Sequence, residues 1–593
     1  MFLWRAFPLY LEKINEPADI RDYTAEQRRI LAREMRDVLI ERTSLVGGHI
    51  GPNLGIIEAT IALHTVFDSP RDKIVFDVSH QCYPHKMLTG RADAYIRAAA
   101  YGDVSGFTNT DESEHDLFNI GHTATGISLA SGLAKARNLT GGTENIVVVI
   151  GDGAMSGGEA FEGLNVVGEM GSNFIIVFND NDQSISENHG GMYAKFKELR
   201  ETNGAAEDNI FRALGLRYRY IADGNDCEEL IRVFAEEKDS TSPVVIHIHT
   251  IKGKGLSFAE DDPEGWHRHA PFHIETGIAK TEPHPDPYAV ATVDFVLETA
   301  KKNPNFVYLS AGIVGGINLS PADRAELGSQ YVDVGIAEEH AVTMASGLAK
   351  AGARPIFGTY SSFFQRTYDQ MAQDVAINRN PAVFLATGTS LYRSTDVTHL
   401  GFYDISIFSN IPNLVYLAPT SVVEHIAVLR WAVEQTEHPV MIRMPYTGYD
   451  ESPYPVRADY SDLNKSIVVR EGTDVALIGV GNFAALASEA ADELAHEGLN
   501  PTVVNPLYLS GLDTELLDAL REKHRLILTV EDGILAGGFG QKVSSFYGEK
   551  GGVRVRNYGL PKEFFNRYNP DDLAHEYHLT APRIAADVLR EMR

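Results

Sequence analysis

The chain has 593 residues, 44% hydrophobic and 22% charged, with a formal net charge of −29. That composition belongs to a globular protein with substantial cores, and the length suggests about three or four domains. So acidic a chain makes nucleic acid and anionic membranes poor partners, and an anionic substrate would need local cations against the overall field. Its two cysteines, Cys82 and Cys227, exclude a disulfide framework and fit a reducing compartment, so the expected location is cytoplasmic. No stretch reaches the roughly 18 uninterrupted apolar residues of a membrane span. The opening Met1–Tyr10 is apolar but short and lacks a clear cleavage site, and it reads as an extended or misassigned start.

Thr24 and Gln27 carry a capping-box signature, and Ile30, Leu31, Val38 and Leu39 trace a helical face ending before Gly47-Gly48. Strand-like runs then alternate with helical ones at 73–77, 146–150, 174–178 and 244–248, the pattern of a parallel sheet covered on both faces. The Pro-bearing stretch 281–287 reads as a linker. A second alternating series has strands at 306–310, 331–334, 382–386, 414–418 and 440–443, and the breaker-rich stretch 447–455 closes it. A third has strands at 475–480, 502–504 and 526–530. The expected fold is therefore α/β, with three consecutive doubly wound domains over 1–280, 288–446 and 460–593. No short repeat suggests a solenoid.

Chemistry first becomes legible at Gly151-Asp152-Gly153 and Asn179-Asp180-Asn181, each ending a buried-strand run. Loops at the carboxyl ends of neighbouring parallel strands share one crevice. The glycines let the backbone approach a diphosphate, while Asp and Asn supply hard oxygen ligands for Mg²⁺. The pair resembles the motif of thiamine diphosphate enzymes. Such chemistry needs a carboxylate against the aminopyrimidine ring, so that C2 of the thiazolium can lose its proton. Glu338, in Asp333-Val-Gly-Ile-Ala-Glu338-Glu-His340, follows a strand and opens a helix, the context for that role.

Several further stretches carry a closer likeness: Gly47-Gly-His49-Ile-Gly-Pro-Asn53-Leu-Gly55, Asp77-Val-Ser-His80-Gln-Cys-Tyr-Pro-His85-Lys86, Gly121-His122-Thr-Ala-Thr125, Ser184-Ile-Ser-Glu-Asn188, Lys252-Gly-Lys-Gly255, the run from Tyr360 to Gln370, and Thr398-His399. With these the chain resembles, over nearly its whole length, the 1-deoxy-D-xylulose-5-phosphate synthase family of transketolase-like thiamine diphosphate enzymes. The resemblance implies a diphosphate-binding, a pyrimidine-binding and a C-terminal domain. It implies thiamine diphosphate and Mg²⁺ as cofactors, with Asp152, Asn181 and the carbonyl of Gln183 on the metal. The cofactor would be lined by His80, Gly121, His122, Thr123, Gly151, Gly153, Ala154, Phe363 and Arg366, with Glu338 as its activator. His49, His80, His122, His267 and His399 would converge on the reacting carbon, where imidazoles can move protons near neutrality. Tyr360, Arg393 and Asp396 would join His49 and His399 on the substrates, pyruvate and an aldose phosphate or similar aldehyde. A homodimer is implied as well. His64, among helix-like apolar residues, reads as structural.

The likeness breaks where the family grips the acceptor's phosphate with two arginines. Gly388 and Tyr446 stand at those places, and Arg393 or Arg366 is left as the substitute. Thr395 stands where an Asp is usual, with Asp396 one residue later, and the segment between Asn188 and Lys252 is short for the family. Two alternatives stay open: a ketol-transferring enzyme with another acceptor, and a non-catalytic paralogue that keeps the fold. A nicotinamide enzyme is disfavoured, because Gly479-Val-Gly481 lacks the third glycine of a dinucleotide loop.

Overall fold

The computed structural model describes residues 10–281, 286–313, 316–445 and 451–592. The opening residues 1–9, the middle of the proposed linker (282–285), Tyr446 and the start of the breaker-rich stretch (447–450) lie outside the described residues. The chain divides into two compact units, Met1–His284 with Gly335–Ala337, and Pro285–Val334 with Glu338–Arg593. Among the described residues no helix is long and apolar enough to cross a membrane.

The first unit is built on β1 (Lys73–Phe76), β2 (Ile146–Gly151), β3 (Ile175–Asp180), β4 (Arg217–Ile221) and β5 (Val244–His249). They form one parallel sheet in the order β1-β2-β3-β5-β4. Side chains alternate across a strand. Val148, Ile150, Ile176 and Phe178 therefore fill one face, and Val147, Val149, Ile175 and Val177 the other. Such strands are apolar throughout, which is why their runs stand out in sequence. β4 was hidden because Arg217-Tyr-Arg-Tyr-Ile221 lies at the edge of the sheet and is mostly half-exposed. The capping box at Thr24 is formed, and it opens the helix Ala25–Val46.

The second unit carries two sheets. β6 (Phe306–Ser310), β7 (Tyr331–Asp333), β8 (Arg354–Tyr360), β9 (Val383–Thr389), β10 (Val415–Leu417) and β11 (Val440–Pro445) form a parallel sheet ordered β10-β11-β9-β8-β6-β7. β12 (Ile467–Arg470), β13 (Val475–Gly479), β14 (Thr502–Asn505), β15 (Leu526–Ile534) and β16 (Arg554–Leu560) form the other, ordered β12-β14-β13-β15-β16, with β12 antiparallel to β14. β8 is central, yet Pro355 and Gly358 within it read as breakers. β12 and β16 are edge strands with weak apolar runs.

The two sheets share a core in which Phe384, Tyr416 and Met441 meet Ile478, Val504 and Ile527. A buried ion cluster adds to it. The Arg443 guanidinium donates to Asp404 Oδ2 at 2.7 Å and to Asp532 Oδ1 at 2.6 Å, and the Tyr416 hydroxyl donates to Asp404. Removing this cation would strip two buried carboxylates of their ion pairs, so Arg443→Met is expected to lower the unfolding free energy by about 3–5 kcal/mol. Urea denaturation followed by circular dichroism reads this, and an unchanged midpoint would show that the cluster holds nothing together.

Candidate active site

In the first unit, β2 and β3 are neighbours and stay in register out to Gly151 and Asn179. The loops that leave them therefore start side by side, with Asp152 N donating to Asn179 O at 3.1 Å. A Cβ on Gly153 would lie 2.7 Å from the Ser184 Cβ, so only glycine admits the turn that follows Asn181. Above Gly151 nothing lies within 4 Å of such an atom, which leaves room over the turn. Ala154 is buried beside it.

Asp152 is 2% exposed. Burial drives its carboxyl pKa well above the usual range, and the charge on Asp180 adds to the shift. Asn188 Nδ2 donates to Asp152 Oδ2 at 2.8 Å. Asp180 is held by Arg200 Nη1 at 2.7 Å and by His247 Nε2 at 2.9 Å. Asn181 and Gln183 share a turn in which Gln183 N donates to Asn181 Oδ1 at 3.3 Å. A carboxylate, a carboxamide oxygen and a carbonyl form a hard donor set suited to Mg²⁺, and a divalent cation would let Asp152 stay ionised beside Asp180. Among the described residues no three His, Cys, Asp or Glu gather to hold a metal.

Three of the five singled-out histidines meet. The His49 ring centroid lies 5.2 Å from His80 and 5.7 Å from His267, and His80 lies 5.1 Å from His267. Gly47, at φ +73°, ends the first long helix, and the Gly48–His269 bridge brings His49 toward His267. Asn53 clamps the pair from below: its amide donates to His49 O at 2.6 Å and His80 O at 2.7 Å, while its Oδ1 accepts from Tyr83 N at 2.9 Å. Nothing in sequence marked Asn53 for this role. Only its burial between two backbone carbonyls reveals it.

His80 follows a strained turn, with Val78 at φ 59° and Ser79 at φ 65°, the former rare for a β-branched residue. Burial pushes the His267 pKa well below its ordinary value, and the Lys252 charge adds to this, so the ring is neutral. Burial also brings Lys252 down to about 8, against the pull of Asp152, and its Nζ donates to Ser184 O at 2.6 Å. Gly121, His122 and Thr123 precede a turn tied to the end of β1, where the Asp77 carboxylate accepts from Ala124 N at 3.1 Å and Gly126 N at 2.7 Å. His64 is a core residue, its Nε2 2.9 Å from His85 Nδ1.

In the second unit, Glu338 opens the helix Glu338–Lys350 and is 2% exposed. Burial raises its pKa to about 7, although the Arg366 guanidinium pulls the other way. Arg366 is engaged by two glutamates, 3.5 Å from Glu338 Oε2 and 3.2 Å from Glu339 Oε1, which removes it as a substitute for a missing phosphate arginine.

Phe363 packs between Tyr360 and His399, at 5.5 and 5.4 Å between ring centroids. Asp396 Oδ1 accepts from Thr398 Oγ1 at 2.6 Å, and Thr398 Oγ1 lies 2.8 Å from His399 Nδ1. Since the threonine proton goes to the carboxylate, His399 carries its own proton on Nδ1 and its lone pair on Nε2. Gly388 adopts φ +64°, and a Cβ there would lie 3.3 Å from both Arg393 Cγ and Tyr360 Cδ1. Arg393 therefore covers the place where Gly388 has no side chain, its guanidinium carbon 5.9 Å from the Tyr360 ring centroid. Tyr446 lies outside the described residues.

The first unit thus gathers Gly151–Ala154, Asn181 and Gln183, and gathers His49, His80 and His267. The second gathers Glu338 with Arg366, and Tyr360, Phe363, Arg393, Asp396 and His399.

The fold raises the pKa of Glu338, so its contribution to stability is present at low pH and lost as pH climbs from about 4.5 to about 7. Glu338→Gln is expected to abolish that loss, worth about 3 kcal/mol between pH 5 and 8. The variant apoprotein should melt a few degrees above the parent at pH 8 and level with it at pH 5; equal differences at both pH values would refute the buried carboxyl.

The family model described as 1-deoxy-D-xylulose-5-phosphate synthase matches residues 11–207, that of the transketolase pyrimidine binding domain 288–450, and that of the transketolase C-terminal domain 464–584. The chain is 35% identical to the 1-deoxy-D-xylulose-5-phosphate synthase of Shouchella clausii, over 97% of this chain and 98% of that one. It is 36% identical to the enzyme of the same name from Desulforudis audaxviator, over 98% of each chain. A solved transketolase from Campylobacter jejuni is 18% identical over 94% of this chain and 98% of its own, at a TM-score of 0.42. Through these full-length matches, this chain belongs to the 1-deoxy-D-xylulose-5-phosphate synthase family of thiamine diphosphate-dependent transferases.

Proposed function

We propose that the chain decarboxylates pyruvate and joins the remaining two-carbon unit to the aldehyde of glyceraldehyde 3-phosphate, giving a 1-deoxyketose phosphate of use in isoprenoid biosynthesis. The observation that carries this reading is Glu338, buried at the head of its helix with a pKa near 7. Such a carboxyl gives and takes a proton with almost equal ease at neutral pH. Thiamine diphosphate, when bound, supplies the carbon nucleophile for the ketone of pyruvate and accepts the electrons left as CO₂ departs.

Asp152, Asn181 and Gln183 would hold Mg²⁺, and Gly151, Gly153, Ala154, Gly121, His122 and Thr123 would line the cofactor with Phe363. Glu338 Oε would exchange the activating proton, with Arg366 keeping its carboxyl oriented. His49, His80 and His267 would donate to the pyruvate oxygen as it gains negative charge; the neutral state of His267 suits a group that must also take the proton back. His399, once protonated at Nε2, would give the proton that the acceptor's carbonyl oxygen gains as it becomes a hydroxyl, its Nδ1 side held through Thr398 and Asp396. Arg393 would meet the acceptor's phosphate beside Tyr360. The divisions 1–280, 288–446 and 460–593 would serve as diphosphate-binding, pyrimidine-binding and C-terminal domains of a cytoplasmic homodimer. The bare Gly388 favours a second reading, ketol transfer to a different acceptor.

Holoenzyme given carboxyl-labelled pyruvate and glyceraldehyde 3-phosphate is expected to release labelled CO₂ in step with pentulose phosphate. Silence across a panel of aldehydes would remove the synthase reading and leave ketol transfer. Glu338→Gln should cut that turnover by at least about 10²-fold. Chelation with EDTA is expected to release thiamine diphosphate and Mg²⁺ to restore it, while Asp152→Asn should bind cofactor weakly even with Mg²⁺ present; undiminished binding in that variant would overturn the metal assignment.

A further inference from the structure

The loop 390–401 leaves β9 and returns to it, closed at its base where Ser390 N donates to Gly401 O at 3.2 Å. It carries Arg393, Asp396 and His399. Leu391, Leu400 and the neighbouring Phe402 are buried in the core of the β12–β16 sheet, among Leu477, Val530 and Leu560.

Polar contacts from the segment that follows β16 complete the attachment. The Tyr568 hydroxyl shares its proton between Leu391 O at 2.7 Å and Ser394 O at 3.1 Å. Arg567 N donates to Thr395 O at 2.6 Å, and the Tyr403 hydroxyl donates to Glu563 O at 2.7 Å. Tyr568 thus grips the backbone on both sides of Arg393. That matters because Arg393 is a long, exposed side chain with a competing acid nearby. Asp286, whose carboxyl burial pushes up, is close enough for the Arg393 charge to pull it back down. A cation meant for a substrate must be held where the substrate's anion will arrive, since small displacements at a reacting site are expensive.

We propose that Tyr568 is a positioning residue for acceptor recognition: from the segment after β16 it holds the 391–394 backbone so that Arg393 stays over Gly388 and Tyr360 and receives the anionic group of a phosphorylated aldehyde. The inference rests on the reading that Arg393 meets the acceptor's phosphate. Selectivity for the acceptor is then set partly from a segment remote in sequence from every residue that touches it.

Tyr568→Phe removes one hydroxyl and keeps the ring. In the holoenzyme it is expected to raise KM for glyceraldehyde 3-phosphate about tenfold, the effect of losing one donor shared between two carbonyls. Turnover at saturation, KM for pyruvate and KM for unphosphorylated glyceraldehyde should stay within about twofold. Arg393→Ala should raise the same KM at least as much, and the double variant should be no worse than Arg393→Ala alone. Titration with glycerol 3-phosphate, an unreactive phosphate monoester, requires no turnover and should show the same tenfold loss. That arm separates failure of this proposal from failure of the synthase reading, which absence of CO₂ from pyruvate would show. Equal losses for both aldehydes, unchanged glycerol 3-phosphate binding in Tyr568→Phe, or additive effects in the double variant would each overturn the proposal.

Discussion

A carboxylate buried beside another carboxylate cannot stay ionised without a cation close by, and Asp152 is in that position. Two parallel strands in register deliver Asp152 and Asn179 to the same edge. Gly153 then lets the following turn descend until Ser184 lies against it. Asp180, one residue before Asn181, is paired with the Arg200 guanidinium and hydrogen-bonded to His247. Against burial and the Asp180 charge, Asp152 has the Lys252 charge in its favour, and a bound cation would add to it. The rest of the first unit can be read as support for that edge: the Asp77 carboxylate fixes the 121–126 turn, and Lys252 secures the Ser184 backbone.

Glu338 poses the opposite case. It too is buried, yet its neighbour is a guanidinium at 3.5 Å, shared with Glu339, so the cationic pull is incomplete and the proton is held near neutrality. Two buried carboxyl groups in one chain thus differ in what surrounds the proton, a second carboxylate for Asp152 and a shared guanidinium for Glu338. The histidines divide likewise. Desolvation keeps His267 neutral, while a threonine and an aspartate choose the tautomer of His399. In neither case does the imidazole itself determine the outcome.

The second unit shows how a missing side chain is covered. At Gly388 the backbone takes a left-handed conformation and offers no cation, but Arg393, five positions on, folds back over it against Tyr360. The loop that makes this possible is anchored in the neighbouring sheet, by Leu391 and Leu400 in its core and by Tyr568 on its backbone.

The sequence by itself determined the α/β class, the strands buried on both faces and the motifs at their ends. These features are written in local runs: a strand covered on both sides is apolar throughout, and a turn that must pass a neighbouring backbone needs glycine. β4, β12 and β16 escaped because an edge strand half exposed to water keeps no such run, and β8 because Pro355 and Gly358 imitate a break. Only the tertiary structure decided that Asn53 ties His49 to His80, that Arg366 belongs to Glu338, that Arg393 rather than Arg366 lies over Gly388, and that Tyr568 grips the loop bearing Arg393. Each of these is a contact between residues set by distance and desolvation in space, and no spacing along the chain encodes either.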